Sequence, residues 1–467
     1  QKEVEAAAFY CPDENSPELQ YLREHREALG GYLPERRIDC PAIKAPPLSS
    51  FQPLLDGTGD REQSSTTAMV RLLATLMKDK DIGPYIVPIV PDEARTFGMD
   101  GLFNVAGIYS PEGQNYTPVD ANTLVPYKEA VDGQILQEGI CETGAMASFL
   151  SAGTAYAMHG VPTIPFYIFY SMFGFQRVGD MIWTCGDMLC RGFLLGGTAG
   201  RTTLNGEGLQ HQDGHSQIIA STVPNLKSYD PAFGYEITVI VREGIKRMYQ
   251  QQENIFYYLT LYNENHPMPA MPHSSDKDDG STAAIEAGIL QGAYCFKRGE
   301  EGSGPVVNLL ASGAIMQQAL SAATQLEGLG YCVNIYSVTS YNELYREAVA
   351  IDRWNRLHPE AEPKQSYTEQ LFAGESGVFI AASDYMTSLT NSIAPWMPEH
   401  FTALGTDGYG LSESREALRD YFEVSDKFII QAALHQLYSS KAIDRKTLRK
   451  QLKPLAIDSE KFYAAEL

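Results

Sequence analysis

A chain of 467 residues is too long for one hydrophobic core, so its length indicates two or three domains. Hydrophobic residues make up 44% and charged residues 20%, which is typical of a soluble globular protein. The 36 Lys and Arg against 58 Asp and Glu give a net charge of −22, and so acidic a surface repels phosphate backbones. Composition therefore excludes nucleic acid as a partner. The sequence also contains no apolar run of the roughly 18 residues that a membrane span requires.

The 7 cysteines follow neither a metal-binding pattern nor a disulfide pattern. Their number is odd, their spacings are irregular, and no CxxC pair occurs. We therefore expect free thiols and a cytoplasmic protein. Cys185 and Cys190, which bound the segment CGDMLC, are expected to be buried in a helix rather than reactive.

Residues 1–45 are predicted to form an N-terminal arm and linker. Ser16–Pro17 and Gly30–Gly31 are a start and a stop signal for a helix, and the proline-rich segment PAIKAPPLSSF follows.

Residues 46–272 alternate helix and strand patterns, which predicts an α/β domain. Three segments have helical spacing of apolar residues: SSTTAMVRLLATLMKD, TGAMASFLSAGTAYAMHG and AFGYEITVIVREGIKRMY. Four short apolar runs are predicted strands: PYIVPIVPD, GQILQEGI, TIPFYIFY and NIFYYLTLYNE. The segment Tyr109–Gly133 has little periodicity, and a loop of that length in a compact domain is usually functional.

A proline- and charge-rich hinge, His266–Thr282, precedes a second domain that we assign to residues 273–467. The segments GPVVNLLASG, AIMQQALSAATQLEGLG and YCVNIYSVTS predict a strand–helix–strand unit, and GVFIAASD and KFIIQAAL predict further strands. Alternation on both sides of the hinge predicts two α/β domains with mainly parallel sheets flanked by helices. In such sheets, binding sites form at the carboxyl ends of the strands.

The segment RTTLNGEGLQHQDGHS places His211, Asp213 and His215 close together in a glycine-rich loop. Two imidazoles and a carboxylate suit zinc or iron, but the loop offers no helical face and no further His or Cys ligand nearby. A solvent-facing loop is a second interpretation. Proton or substrate chemistry is the third and the preferred one, because histidine carries protons near neutral pH.

Three further features are candidate parts of a site. Glu142 follows a predicted strand, and it either complements a helix dipole or lies among apolar residues that would raise its pKa by desolvation. The segment FYIFYSMFGFQR is either core or a flat aromatic wall for a cofactor. Asp92 and Glu93 end a predicted strand and are either surface acids or part of the site.

Four segments give these residues a family context: GQILQEGICETGAMASFLSAGTAYA, IPFYIFYSMFGFQRVGD, GGTAGRTTLNGEGLQHQDGHS and LGTDGYGLSESREALRDYFEV. They strongly resemble the homodimeric bacterial first component of the pyruvate dehydrogenase complex, a thiamine diphosphate enzyme with a transketolase-like fold. The resemblance covers essentially the whole chain but only the family's middle and C-terminal domains. It implies a pyrimidine-binding domain over residues 46–272 and a transketolase C-terminal-like domain over residues 273–467.

The resemblance also implies an activity and roles for residues. The activity is oxidative decarboxylation of pyruvate with reductive acetylation of a lipoyl group on the dihydrolipoyl acetyltransferase. Glu142 resembles the glutamate that hydrogen-bonds the cofactor's aminopyrimidine, and Tyr170 and Phe173 match aromatic positions beside that ring. His211 matches a histidine near the reacting carbonyl. Asp92 and Glu93 match acids near the cofactor, and Tyr109–Lys128 matches a mobile loop.

The family's GDG…N motif, which holds the cofactor's diphosphate through Mg²⁺, is absent from this sequence. We therefore expect the diphosphate and metal site on an N-terminal half that is a separate chain or has been removed. By resemblance, the active site lies between subunits of a homodimer. The alternatives are a truncated, non-catalytic fragment and another transketolase-like enzyme that acts on 2-oxo acids.

Overall fold

The computed structural model describes residues 12–28, 40–91, 94–273, 282–300 and 302–466. Two sheets organise these residues, and a hydrophobic cluster continues from one sheet to the other. None of the described helices is both long enough and apolar enough to cross a bilayer. The two sheets lie on either side of the predicted division at residue 272, and that division remains a prediction.

The first sheet has six strands in the order β5-β2-β6-β7-β9-β8, and every pairing in it is parallel. Its strands are β2 (Ile86–Val90), β5 (Leu136–Gln137), β6 (Ile164–Tyr170), β7 (Phe193–Gly197), β8 (Leu226–Tyr229) and β9 (Phe256–Thr260). The central strand β6 is a continuous apolar run because helices cover both faces of a parallel sheet, and six of its seven residues are buried.

Helix α1 (Pro17–Ala28) has no buried residue. The helices around this sheet are α2 (Gln52–Leu55), α3 (Ser65–Lys78), α4 (Phe103–Ala106), α5 (Glu142–His159), α6 (Ser171–Asp187), α7 (Ser216–Ala220) and α8 (Gly234–Ile245). Helix α3 confirms the predicted pattern, since the Ser64 hydroxyl accepts a hydrogen bond from the Thr67 N–H at 3.0 Å and so caps its N-terminus. Helix α5 ends at Gly160, whose φ of 66° is left-handed and favours glycine.

The second sheet has five strands in the order β11-β13-β12-β14-β15, and only the edge strand β11 is antiparallel to its neighbour. Its strands are β11 (Ala293–Lys297), β12 (Val306–Ala311), β13 (Cys332–Val338), β14 (Val378–Ala382) and β15 (Phe401–Leu404). The helices that accompany it are α9 (Ala283–Gln291), α10 (Met316–Gly328), α11 (Tyr341–Leu357), α12 (Tyr367–Leu371), α13 (Thr387–Asn391), α14 (Arg415–Tyr421), α15 (Asp426–Ser439) and α16 (Arg445–Leu452). The predicted fold class, two α/β units with mainly parallel sheets, is confirmed.

Two predicted strands need correction. The segment KFIIQAAL is not a strand but part of helix α15. An apolar run of this length has no decisive period, and here the buried positions Ile429, Ala433 and Leu437 recur every four residues, which is helical spacing. The segment GQILQEGI forms a strand only at Leu136–Gln137.

The long segment Tyr109–Gly133 is mostly irregular, as expected, but strand pairing joins its two ends. Strand β3 (Ile108–Tyr109) pairs in parallel with β4 (Glu129–Ala130). A second small pair joins β1 (Glu62–Gln63) to β10 (His266–Pro267) in antiparallel fashion.

Buried polar groups join the two sheets, and we call this region the domain junction. Asp230, which follows β8, accepts a hydrogen bond from the Ser312 hydroxyl at 2.7 Å, and its backbone N–H donates to Thr339 O at 2.7 Å. Asp384, which follows β14, accepts hydrogen bonds from Thr202 and Thr203 in the loop after β7. These contacts fix the orientation of one sheet relative to the other.

Candidate functional site

Four segments of the chain meet at the carboxyl edge of the six-stranded sheet. Glu142 is the first residue of α5, which follows β5, and Tyr170 is the last residue of β6. Phe173 lies in the first turn of α6, and His211 lies in the loop after β7. In the strand order, β2 lies between β5 and β6, so the chain reverses direction across the sheet at this point. Such a switch point is where open α/β sheets place a binding crevice.

The rings of Tyr170, Phe173 and His211 form one aromatic cluster. Their centroids lie 5.6 Å apart for Tyr170 and Phe173, 5.2 Å for Tyr170 and His211, and 5.0 Å for Phe173 and His211. Phe97 packs against Tyr170 from below at 5.4 Å. That contact needs a glycine at position 197, because a Cβ there would lie 2.6 Å from the Phe97 ring. The three rings are only partly buried and so form a wall at the surface of the crevice.

The Glu142 carboxylate lies at the same edge and is held by an arginine. Its Oε1 accepts a hydrogen bond from Arg177 Nη1 at 2.5 Å. The Arg177 guanidinium in turn lies over the Phe173 ring, 3.7 Å from the centroid. The second oxygen, Oε2, has no hydrogen-bond partner among the described residues. Arg177 therefore ties the carboxylate to the aromatic wall and leaves one oxygen available. We call these five residues, Glu142, Tyr170, Phe173, Arg177 and His211, the edge site.

The apolar surroundings expected for Glu142 are only half present. Ala145 and Met146 are buried beneath the helix, but Ile140 is 71% exposed and Cys141 is exposed as well. The reason is that Glu142 opens a helix at the rim of the sheet, where only one side of the chain faces the core. The carboxylate therefore faces a cation rather than a wholly apolar pocket.

The glycine-rich loop gives His211 a carboxylate neighbour that lies upstream of it. His211 Nδ1 lies 3.2 Å from Glu207 Oε2, a close contact without hydrogen-bond geometry. Asp213 is fully buried and accepts hydrogen bonds from the backbone N–H groups of His215 and Ser216, at 3.0 Å and 2.9 Å. Asp213 thus shapes the turn into α7, and His215 contacts Gln176 at 2.7 Å.

The segment that follows β15 supports this loop. Gln212, next to His211, is buried; its Oε1 accepts a hydrogen bond from Leu411 N–H, and its Nε2 donates to Leu204 O, both at 2.7 Å. Arg201 is also buried and donates to Thr406 O at 3.0 Å. Burial lowers the pKa of Arg201, and the nearby Asp213 opposes that shift. The edge site is therefore positioned by both halves of the chain.

Two predicted site residues, Asp92 and Glu93, lie outside the described residues. The buried cysteines of CGDMLC have no exposed surface, and burial raises the pKa of the Cys190 thiol well above its ordinary value. Within the described ranges, no group of three or more His, Cys, Asp or Glu residues has the geometry to hold a metal ion.

Sequence reasoning missed Arg177 as a partner of Glu142. The available signal was its position four residues after Phe173, which puts both side chains on one face of a helix. The contact to Glu142 crosses 35 residues of sequence and carries no local signature. Chemically, the edge site combines a carboxylate with a free oxygen, a flat aromatic wall and an imidazole, which suits a planar, nitrogen-containing ring that exchanges protons.

Comparison with known proteins shows what the chain resembles. Residues 47–269 match the model of the pyruvate dehydrogenase E1 component middle domain, and residues 292–425 match the transketolase-like C-terminal domain. The pyruvate dehydrogenase E1 component of Pseudomonas aeruginosa is 49% identical over 461 residues. Over these domains the chain resembles pyruvate dehydrogenase E1 components. The alignment covers 98% of this chain and 51% of that relative, and the same shares hold for the 46% identical protein of Escherichia coli K12.

The chain thus spans about half the length of the curated relatives that it matches, and the resemblance predicted from sequence is confirmed. Solved transketolases share the fold. The enzyme from Campylobacter jejuni superposes with a TM-score of 0.58 at 15% identity, covering 82% of this chain and 49% of its own. That from Leishmania mexicana has the same TM-score at 14% identity, covering 90% of this chain and 49% of its own.

Proposed function

We propose that the chain forms one side of the active site of a thiamine diphosphate-dependent pyruvate dehydrogenase. The reaction is oxidative decarboxylation of pyruvate with reductive acetylation of a lipoyl group. The observation that carries the proposal is the convergence of Glu142, the Tyr170–Phe173 wall and His211 at the switch point of the sheet. Relatives named as pyruvate dehydrogenase E1 components, at 46–49% identity over 98% of the chain, support the choice of substrate.

The edge site fits the aminopyrimidine end of the cofactor. Glu142 has a free carboxylate oxygen to hydrogen-bond a ring nitrogen, and Tyr170 and Phe173 offer aromatic faces for a flat ring. Nδ1 of His211 is buried beside Glu207, and its imidazole ring packs against Tyr170 and Phe173. When bound, the cofactor supplies the carbon nucleophile and the electron sink that decarboxylation of a 2-oxo acid requires.

Each residue has a distinct part in the proposal. Glu142 exchanges a proton with the ring nitrogen that it binds, and Arg177 holds the carboxylate in place for that contact. Tyr170 and Phe173 orient the ring and exclude water from one face. His211, next to Glu207, holds or moves a proton at the carbonyl of the substrate. Asp92 and Glu93 shape the pocket, and the segment Tyr109–Lys128 closes over it.

The diphosphate end of the cofactor does not fit this chain. The sequence has no GDG…N motif, and the described residues offer no group of metal-ligating side chains. We therefore assign the diphosphate and its Mg²⁺ to an N-terminal half outside this sequence, either on a second chain or on the remainder of a longer one. The site is completed where that half meets the edge site in a homodimer.

The proposal includes a partner and a location. The partner is the lipoyl-bearing dihydrolipoyl acetyltransferase, which accepts the acetyl group. A cytoplasmic location is consistent with the free thiols of Cys141, Cys185, Cys190, Cys295 and Cys332.

Reconstitution tests the proposal directly. The chain is mixed with the N-terminal half of the Pseudomonas aeruginosa E1 component, and thiamine diphosphate with Mg²⁺ is titrated in by calorimetry. Pyruvate turnover is then assayed with an artificial electron acceptor. We expect binding and turnover in the mixture, and loss of turnover by at least a hundredfold in Glu142→Gln, because general acid–base groups contribute about 10²–10⁴-fold.

Further variants and substrates define the outcomes that would contradict the proposal. His211→Ala is expected to impair pyruvate turnover more than cofactor binding, whereas Glu416→Gln, an exposed glutamate on α14, is expected to change neither. Wild-type turnover in Glu142→Gln would reject its role. Transfer of sugar phosphates without pyruvate turnover would favour a transketolase-type enzyme. Failure to bind the cofactor even in the mixture would favour a non-catalytic fragment.

A further inference from the structure

The last α-helix of the chain carries a basic face on an acidic protein. Helix α16 and the 3₁₀ turn that begins at Lys453 carry five basic side chains, Arg445, Lys446, Arg449, Lys450 and Lys453, which we call the basic face. All five are exposed. With Lys441, the 13 residues from 441 to 453 hold six basic residues and one acidic residue, Asp444. This segment contributes +5, so the remainder of the chain carries −27.

Helical geometry places these charges on one side. At about 100° of rotation per residue, the five basic side chains fall within an arc of about 140°. The backbone at Lys453 is still right-handed helical, with φ −55° and ψ −42°, so the arc continues into the last of them. Leu448 and Leu452 fall outside this arc, beside its Arg445 edge, and pack against the core. The face is therefore one continuous surface that points away from the protein.

The helix that bears the basic face is held against the rest of the protein by packing and hydrogen bonds. Leu455, just beyond it, joins Leu448 and Leu452 against the core, and Tyr331 on the neighbouring strand edge donates a hydrogen bond from its hydroxyl to Gln451 Oε1 at 2.6 Å. The Asp444 side chain accepts a hydrogen bond from Thr447 N–H at 2.7 Å and caps the N-terminus. These contacts hold the basic face in a fixed orientation.

The described part of the chain does not neutralise these charges. None of its carboxylates lies within 4 Å of a charged nitrogen of the five side chains. The one polar contact is from Arg445 Nε to the Tyr438 hydroxyl at 3.4 Å. The first cause of the lowered pKa of Asp444 is its own cap contact with Thr447, and Lys446 adds to it.

Helix stability does not account for the pattern. Arg449 and Lys450 complement the negative end of the helix dipole, but Arg445 and Lys446 occupy the first turn, where a positive charge is unfavourable. Like charges four residues apart, as in Arg445 and Arg449 or Lys446 and Lys450, each cost about 0.2–0.5 kcal/mol. The packing of Leu448 and Leu452 must offset that repulsion.

An open groove borders the face at its N-terminal end. It has a volume of about 510 Å³ and is lined in part by Tyr438, Ile443 and Lys441. A partner that lies along the basic face can therefore place a side chain beside the helix as well as charges on it. The surface therefore offers a partner a groove as well as positive charges.

We propose that the basic face docks an acidic segment of another protein chain. The charge of the rest of the molecule selects this partner over extended polyanions. A duplex or an anionic membrane brings many charges near the −27 of the remainder, and that repulsion acts beyond the contact itself. A short protein segment presents a few carboxylates over the roughly 13 Å of helix and leaves the rest of the surface free.

A labelled peptide of alternating Glu and Ser tests the proposal by fluorescence anisotropy on the whole chain. We expect saturable binding that weakens at least tenfold between about 0.05 and about 0.5 M salt, because added salt screens exposed charges. The triple variant Lys446→Gln, Arg449→Gln, Lys450→Gln is expected to raise the Kd about tenfold, which corresponds to about 1.4 kcal/mol. A peptide with Gln in place of Glu is expected not to bind.

A matched triple variant controls for overall charge. Lys80, Arg353 and Arg356 are exposed and lie outside the basic face, and their change to Gln lowers the net charge by the same three units. We expect less than a twofold change in its Kd, and both triple variants are expected to keep the thermal midpoint of the wild type. Equal Kd changes in the two variants would reject the face as the docking surface, as would an unchanged Kd in the first.

Tighter binding to phosphatidylserine vesicles or duplex DNA than to the acidic peptide would overturn the choice of partner. A homodimer that dissociates only in the first variant, as seen by sedimentation, would assign the face to a second copy of the chain.

Discussion

The carboxylates of the domain junction and the carboxylate of the edge site use their oxygens differently. Asp230 and Asp384 are buried, and each oxygen of both accepts at least one hydrogen bond from a hydroxyl of the chain. Glu142 is only partly covered, one of its oxygens pairs with an exposed arginine, and the other has no partner in the described structure. A saturated carboxylate holds parts of a protein together, whereas an unsaturated one is free to bind a ligand.

Burial also affects the protonation of the junction carboxylates. Burial raises the pKa of Asp384, and three hydrogen bonds from Thr202 and Thr203 oppose the shift. The same competition acts on Asp230, where burial prevails and the pKa rises to about 6. The stability of the fold is therefore expected to fall when the junction loses a donor or a proton, and to change little when an edge-site residue is substituted.

The largest effect is expected at Asp384. In Asp384→Ala, three buried donors lose their acceptor, so the free energy of unfolding should fall by about 3–5 kcal/mol. Urea unfolding followed by circular dichroism measures this loss.

Two variants serve as controls for that result. Asp384→Asn keeps the shape and one acceptor and should lose about 2 kcal/mol, while Ala at the exposed Asp132 should change stability by less than about 0.5 kcal/mol. If Asp384→Ala is as stable as the Asp132 variant, the junction is not held as described.

The next effect depends on pH and belongs to Asp230. Its carboxyl binds a proton more tightly when folded, with a pKa of about 6, than in the unfolded chain, where about 4 is usual. Its contribution to stability is complete below about pH 4 and is lost at about 1.4 kcal/mol per pH unit as the pH rises toward 6. Asp230→Asn lacks this titration.

Urea unfolding of the wild type and Asp230→Asn at pH 5 and pH 7 isolates the effect. The wild-type stability relative to the variant should be about 1.4 kcal/mol lower at pH 7 than at pH 5. A relative stability that does not change with pH would mean that Asp230 is not desolvated, and a change of opposite sign would mean that its hydrogen bonds outweigh its burial.

The sequence predicted regular elements best where one pattern was unambiguous. Helix α3 has helical periodicity and a serine cap, α5 is a run of small residues that ends before Gly160, and β6 is a seven-residue apolar run. Strand β7 was missed because its five residues end in two glycines, which have no strand propensity. In the structure those glycines are needed, since a Cβ at 196 or 197 would collide with Tyr258 or Phe97.

The edge site was predictable only in part, for a related reason. Tyr170, Phe173 and His211 could be proposed from the motifs that resemble the pyruvate dehydrogenase first component, and the structure brings their rings together. Arg177 could not, because its contact with Glu142 depends on the packing of α5 against α6 rather than on any local spacing. Long-range pairing of this kind depends on the tertiary fold, which one sequence does not display.

The smallest effect is expected at the edge site, and it sharpens the comparison most. Arg177 is 48% exposed, so its pairing with Glu142 and its contact with the Phe173 ring should together contribute only about 1 kcal/mol. A double-mutant cycle of Arg177→Gln and Glu142→Gln should give a coupling energy of about 0.5–1 kcal/mol at low salt, and less at about 1 M salt because exposed pairs are screened. The matched cycle of Arg177→Gln with Glu207→Gln should give none, since Glu207 contacts His211 instead.

A coupling of several kcal/mol would make Glu142 a structural carboxylate like Asp384. The absence of any coupling at low salt would mean that the ion pair does not form in solution and that both oxygens of Glu142 are open to a ligand.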